Sequence, residues 1–448
     1  MPDRTSERSD GGRSDRAPSL RRSSSHVTGC LPMRIEPDTF AFTLLLGLLA
    51  AVPYSGIDIN LPALAATGAT LGLSASDVGL TMSAFMLSLA TAPLIYGPVS
   101  DRLGRKPVLG FGLALFVAAS VSCAFASSLP VLLLGRFVQG IGAAATATTF
   151  AIIRDLFDGD AARSKIGNIM VAVNVATVIA PTAGAALLAA AGWRSIYATQ
   201  AAIGFMLLVV VMFRFAETAA IAPSGRLVPS AVIDSYRRVL THPVSVAYIL
   251  VGAAGGATVF AYVTGASLFF VGAVGLSPEQ YGLIFSACSA SVMGGALLDG
   301  QLGRRGISSS HMLAIGLALS AAASVVLLGM TLTGWMPTEL VVALLMAVAL
   351  GFGLSVPNVM SATMQHLPEI AGAVSAAAGS IQLIAGAISS GLVAVRFDGR
   401  TALSMTAVMA ASSLLALVLY CLVARSADRR LRSQVIGAGE AIRSSTSS

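Results

Sequence analysis

Two ionisable residues stand inside strongly apolar stretches of this 448-residue chain: Asp58 in PYSGIDINLPAL and Arg136 in GRFVQGIGAAATATTFAIIRDLF. A carboxyl group in such surroundings can bind and release a proton or face a cationic group. A guanidinium there costs about 2.5–3.5 kcal/mol at the centre of a bilayer, so it needs a polar partner or a wet cavity. Arg136, Gln139, Gly140 and Ala143 recur at helical spacing on one face. Asp58 is the one acid at a comparable depth, so Asp58 and Arg136 are expected to form a proton-coupling pair. Tyr54, Asn60, Gln139, Asn174, Asn358 and Gln382 are expected to line a substrate cavity with Asp58. Each of the amides could equally make an interhelical hydrogen bond worth under about 2 kcal/mol, and Asn60 could simply end a helix. The chain has no phosphate-binding loop and no metal-ligand or nucleophile–base constellation. It is therefore not expected to be an enzyme or to need a cofactor or metal.

The elements that hold these residues follow from composition. Apolar residues make up 55% of the chain and charged residues 11%, with a mean hydropathy of +0.82. A soluble domain carries about 25% charged residues, so a water-soluble enzyme or nucleic-acid-binding protein is excluded. Twelve stretches approach the roughly 20 apolar residues a membrane helix requires. They lie near 39–61, 78–100, 107–126, 130–153, 166–190 and 195–215, then near 244–271, 281–302, 311–332, 340–360, 371–395 and 402–423. They are too long and continuous for barrel strands. With both termini cytoplasmic, every Lys and Arg except Arg136, Arg194, Arg396 and Arg400 falls on the cytoplasmic side. The net charge of +7 is thus a topology signal rather than a nucleic-acid footprint. Four dispersed cysteines imply no disulfide framework.

The expected fold is an all-α integral membrane protein of two pseudo-symmetric six-helix bundles, 39–216 and 243–425. The halves share a repeat at an offset of 203: GLSASDVGLTMSA from Gly72 and GLSPEQYGLIFSA from Gly275. Repeated bundles of this kind place a binding site at their interface. A cytoplasmic linker, 217–242, joins them and contains an amphipathic segment read as lying on the inner membrane surface. The tails, 1–38 and 426–448, are expected to be cytoplasmic, and the first is expected to be disordered, being too polar to form a core. Met1 and Met33 both remain possible translation starts.

The loop after the second stretch reads GPVSDRLGRKPVL. Gly97, Asp101, Arg102, Gly104, Arg105 and Lys106 fill every position of the major facilitator superfamily signature, which this loop resembles. Gly97 would let two helix ends approach. Asp101 would face a helix N-terminus of the other half or pair with Arg105, forming a conformational gate. GALLDGQLGRRG, with Gly295 and Asp299, is a weaker echo in the second half, and Asp299 a second candidate proton site. SGIDINLPALA, RFVQGIGAAATATTFAIIRDLF, APTAG with GWRSIY, and GFGLSVPNVM with AGAVSAAAGSIQ together resemble the Bcr/CflA-type drug resistance transporters over about 34–425. That resemblance implies the major facilitator fold and a proton-coupled exporter of small amphipathic drugs or metabolites in the bacterial inner membrane. It puts Asp58, Arg136 and Gln139 at proton-coupling and substrate positions. The partners implied are a small-molecule substrate, protons and the lipid bilayer, with no nucleic acid, and the chain is expected to be a monomer. Departures include Ala180 to Ala185 around Pro181, where the family has more glycine, and Ile59–Asn60 after the acid. A facilitator or symporter of a polar nutrient on the same fold stays open as an alternative.

Overall fold

The computed structural model describes residues 35–218 and 229–424. Most of both expected tails (1–34 and 425–448) and the linker residues 219–228 lie outside the described residues. Among the described residues, twelve helices are long and apolar enough to cross a membrane: spans 1 to 6 are Phe40–Leu71, Ser76–Gly97, Arg105–Ala124, Leu129–Leu156, Ser164–Ala191 and Trp193–Arg214. Spans 7 to 12 are Pro243–Ala273, Pro278–Arg304, Ser309–Thr333, Thr338–Gln365, Gly372–Arg396 and Leu403–Leu422. Large apolar side chains such as Phe111, Phe205, Ile388 and Leu415 stay exposed on the outside. A bilayer, unlike water, makes that exterior favourable.

The two halves are built alike. Span 1 packs on 5, 2 on 4, 3 on 4 and 3 on 6; the same pairings recur as 7 on 11, 8 on 10, 9 on 10 and 9 on 12. Span 2 then crosses to span 11, and span 5 to span 8, joining the halves. The twelve-helix, two-bundle expectation therefore holds.

The repeated sequence builds the joint between the halves. Ser74 and Ser277 each cap a helix N-terminus, in a reciprocal capping box with Asp77 and Gln280 respectively. Two turns on, Gly79 presses against Ala394 of span 11 and Gly282 against Pro181 and Ala185 of span 5. Any side chain at either position would push the halves apart. One turn further, Ser83 hydrogen-bonds Ser390 at 3.2 Å, while Ser286 donates to the Val178 carbonyl at 2.7 Å and bonds Thr182. These contacts seal the end of the molecule away from the Arg- and Lys-rich loops. That loop-rich end is called the basic end below.

Span 1 is interrupted near the seal. Its first helix, Phe40–Asp58, stops, a 3₁₀ turn covers Leu61–Ala63, and a short helix Leu64–Leu71 follows. Pro62 explains the stop: it has no N–H for the Asp58 carbonyl four residues back, and its ring would clash there. The break therefore places Asp58 and its neighbours at a helix C-terminus inside the protein.

The connector helix, Pro229–Thr241, packs against the base of the second half. Val239 is fully buried, and with Tyr236 it packs against Ile249, Val374, Ala377 and Ala378 of spans 7 and 11. Arg238 also pairs with Glu369 across the helix–loop boundary. The amphipathic face found a protein partner, the base of the second half, before it needed a lipid one.

Candidate functional site

Arg136 is completely buried, and its partner is not Asp58. One terminal nitrogen, Nη1, donates to the Gly56 carbonyl at 3.0 Å and to Gln139 Oε1 at 2.6 Å. The guanidinium also lies over the Phe85 ring, 4.3 Å from its centre. The expected ion pair is thus corrected. Helix ends leave their last carbonyls unbonded, and the break after Asp58 frees the Gly56 carbonyl. The partial negative charge of a helix C-terminus favours a cation there, so the broken backbone satisfies the arginine and leaves the carboxyl aside. Asn60 also donates to the Gly56 carbonyl, at 3.0 Å, and is buried. It ends the helix and does not face a cavity.

Gln139 extends this network within the first half. Its amide nitrogen donates to Ser120 of span 3 at 2.7 Å and to Gln200 of span 6 at 2.8 Å. It is wholly buried, so in this conformation it braces spans 3, 4 and 6 and lines no open cavity. The chain of bonds ties the three spans together, while Arg136 Nε and Gln200 Nε2 stay buried without a partner.

Asp58 is, among the described residues, the one acidic side chain that is buried. It makes no ion pair. Thr177 of span 5 faces its carboxyl. Tyr54 stands one helical turn before it on the same face and is 47% exposed. Asn174, one turn before Thr177, is half-buried and bonds only its own backbone, at Met170. Tyr54 and Asn174 thus lie about one turn nearer the basic end than Asp58 and Thr177. Across from Asp58, in the second half, Tyr262 and Tyr281 lie within electrostatic range.

The two expected cavity residues of the second half part company. Asn358 is buried and donates to Asp299 at 2.6 Å, which joins spans 10 and 8 near the basic end. Its amide is spent on a structural bond. Gln382 instead lines a small cleft of about 30 Å³ between spans 7, 9, 10 and 11, walled by Phe352, Val356 and Val359. This cleft lies within the second half and is apolar apart from Gln382, Ser355 and Thr363.

The gate loop is tied to its own half. Arg105 bonds Asp101, Ser100 and, at 2.9 Å, Asp155 at the end of span 4. The backbone N–H groups of Arg105 and Lys106 donate to the Glu217 carboxylate at 2.8 and 3.1 Å. An anion at a helix N-terminus is favourable, and Gly104, at φ +98°, bends the chain so that Glu217 fits against it. Arg102 is solvent-exposed. The expected close approach at Gly97 is absent: no atom lies within 4 Å of a side chain placed there. This end of span 2 touches spans 3, 4 and 11, but not at Gly97.

Sequence reasoning missed Thr177, Asp155, Glu217, Tyr262 and Tyr281. Asp155 could have been found from the RDLF stretch at the same membrane side as the gate loop. The others had no signal, because distant spans bring them in.

Comparison with known proteins agrees with this geometry. The family model described as "Major Facilitator Superfamily" matches residues 44–390. An uncharacterized MFS-type transporter, YdgK of Bacillus subtilis, is 31% identical over 379 residues, covering 83% of this chain and 92% of the relative. A bicyclomycin resistance protein homolog of Haemophilus influenzae is 25% identical, covering 87% and 97%. Among solved structures, a D-xylose–proton symporter superposes with a TM-score of 0.68 at 16% identity, over 86% of this chain and 98% of that one. At that identity the likeness concerns the fold alone.

Proposed function

The chain belongs to the major facilitator superfamily, and from that premise we propose that it exports small amphipathic drugs or metabolites in exchange for protons. Asp58 is the observation that carries this reading: a buried carboxyl without a cationic partner, at a helix break near the seal. A proton and a cationic or hydrogen-bonding substrate would compete for that carboxyl, and competition for one site is the simplest form of antiport. The bicyclomycin resistance homolog supports export over nutrient uptake. The orientation follows from Lys and Arg: the basic end and both termini are cytoplasmic, in the bacterial inner membrane. The conformation is then inward-facing, with the serine- and glycine-lined seal on the outer side.

In this cycle Tyr54, Asn174 and Gln382 contact substrate. Arg136 and Gln139 act one step back, by fixing the break that presents Asp58. Outward opening would separate Gly79 from Ala394 and Gly282 from Pro181. It would also bring the Gly97 end of span 2 toward the second half, giving that glycine its purpose.

Everted membrane vesicles, acidified inside and loaded with a pH-sensitive dye, test the reading. Candidate drugs should trigger proton release from vesicles with the native chain and none from Asp58→Asn. Equal release from both would remove Asp58 as carrier. Gradient-independent uptake of a polar nutrient, with no drug response, would instead favour a facilitator.

A further inference from the structure

At the basic end a single residue, His242, stands between the connector helix and span 7. Its backbone N–H closes the connector on the Arg238 and Val239 carbonyls, at 3.1 and 3.3 Å. Its side chain opens span 7, where Nδ1 accepts from the Ser245 N–H at 3.2 Å. That bond needs a lone pair on Nδ1, so the ring is neutral with its proton on Nε2. Ser245 Oγ lies 3.1 Å from the same nitrogen and donates to the Thr363 carbonyl, in the last turn of span 10, at 3.4 Å. His366, which ends span 10, stacks on the His242 ring with centres 5.7 Å apart and planes 25° off parallel. Beside this corner the connector rests on spans 7 and 11 through Tyr236 and Val239, and Arg238 reaches Glu369 at 3.3 Å. His242 therefore joins three elements: the connector, span 7 and span 10.

We infer that the stacked pair His242–His366 is a proton-sensitive latch: protonation at the basic end loosens the connector helix from the base of the second half and slows the transport cycle. A proton on Nδ1 turns an acceptor into a donor aimed at the Ser245 N–H, so the cap of span 7 is lost. The new charge also sits at the positive end of span 7 and against the His366 ring, and both oppose it. Acid thus breaks the cap and pushes the two rings apart. The connector is the covalent link between the halves, and alternating access moves each half largely as a rigid body. A second half whose base has worked loose follows that motion less well. A carrier that imports protons acidifies the side it delivers them to, so a latch on that side acts as a brake. The brake rests on the proposed antiport and orientation; the latch does not. Among the described residues, the other charged or titratable groups on the elements packed here are few. They are Asp234, Tyr236, Arg237 and Arg238 on the connector, Tyr248 on span 7, Glu369 before span 11, Tyr420 and Cys421 at the end of span 12, and His311 at the start of span 9. Only His311 is of a type that ordinarily changes charge between about pH 5 and about pH 8, and it is exposed and bonded to Ser308.

Hydrogen exchange of the purified full chain tests the latch, with labelling times scaled to the intrinsic exchange rate at each pH. Protection of the connector amides over 234–241 should fall about fivefold between about pH 7.5 and about pH 5.5 in the native chain. His242→Asn keeps a capping side chain without a titratable ring and should hold the same protection at both values; native-like protection at about pH 7.5 shows that it folds. His366→Gln, which removes only the repulsion, should lessen the fall, and His311→Asn should leave it as in the native chain. No fall in the native chain, an equal fall in His242→Asn, or a fall abolished by His311→Asn would each overturn the latch. Everted vesicles then test the brake, because their basic end faces the bath. The ratio of native to His242→Asn rates of drug-triggered proton release should drop about threefold over the same range of bath pH. A constant ratio alongside a loss of protection would overturn the brake. Drug-triggered release retained by Asp58→Asn would instead overturn the proposed carrier and leave the latch standing.

Discussion

The two halves share a skeleton and differ in their interiors. In the first, Ser120, Arg136, Gln139, Gln200 and the Gly56 carbonyl form one buried polar network around the break in span 1. In the second, the space beside the interface is aromatic, with Tyr262, Tyr281 and Phe285, and the larger cleft is apolar apart from Gln382, Ser355 and Thr363. Yet both contribute the same glycine, serine and capping box to the seal. Under the proposed function, the symmetric parts would form the moving joint and the asymmetric parts would carry the proton chemistry.

The largest effect expected from this contrast is at Arg136. Arg136→Leu leaves Gln139 Oε1 without its donor in the buried core, although Asn60 still bonds the Gly56 carbonyl, and should cost about 2 kcal/mol, read as a lower melting temperature in detergent. Asp299→Asn in the second half can keep its bond to Asn358 by turning the amide, so it should cost less than about 1 kcal/mol. Equal losses would erase the distinction between the halves.

Gly79→Leu and Gly282→Leu test the symmetric side. Each wedges one interface of the seal, so both should raise maleimide labelling of a Ser390→Cys thiol in the seal about tenfold, within about threefold of each other. A response from only one would show that one interface bears the closure alone.

A smaller effect is expected at Glu217. Glu217→Ala leaves the first N–H groups of span 3 without their anion and should lower stability by about 1 kcal/mol, measured by melting in detergent.

The smallest concerns His242, which caps span 7 at the connector helix and stacks on His366 at 5.7 Å. Burial, reinforced by His366, holds its imidazole below the ordinary value of about 6.5. The unfolded chain therefore takes the proton first, and stability falls as pH drops through about 6.5. His242→Asn keeps a capping side chain and should lose part of the acid-induced fall in melting temperature between about pH 7 and about pH 5.5. An unchanged fall would place the sensitivity elsewhere.

Much of this was legible before any coordinates. Span number and the pseudo-repeat follow from apolar run length and the 203-residue offset. Asp101 and Arg105 are only four residues apart, so their pairing across the bend at Gly104 was open to local reasoning. The Asp58–Arg136 pair was not sound, because compatible depth along two helices says nothing about a backbone carbonyl set free between them. Asn60, Asn174 and Asn358 look alike in sequence, yet one ends a helix, one bonds only its own backbone and one ties two spans together. The connector's apolar stripe was evident, but whether lipid or protein would cover it was not.

Sequence by itself determined where the chain crosses the membrane, because burying an apolar helix depends only on its own residues. Pro62 favours the break after Asp58, but Pro53, Pro181 and Pro357 sit inside continuous helices, so the break also depends on the surroundings. Tertiary structure decided which groups meet: that a carbonyl satisfies Arg136, that Asp58 is left without a cation, and that His242 and His366 stack at the base of the second half. Those outcomes depend on how spans far apart in sequence are brought together, and residue type and spacing do not encode such distances.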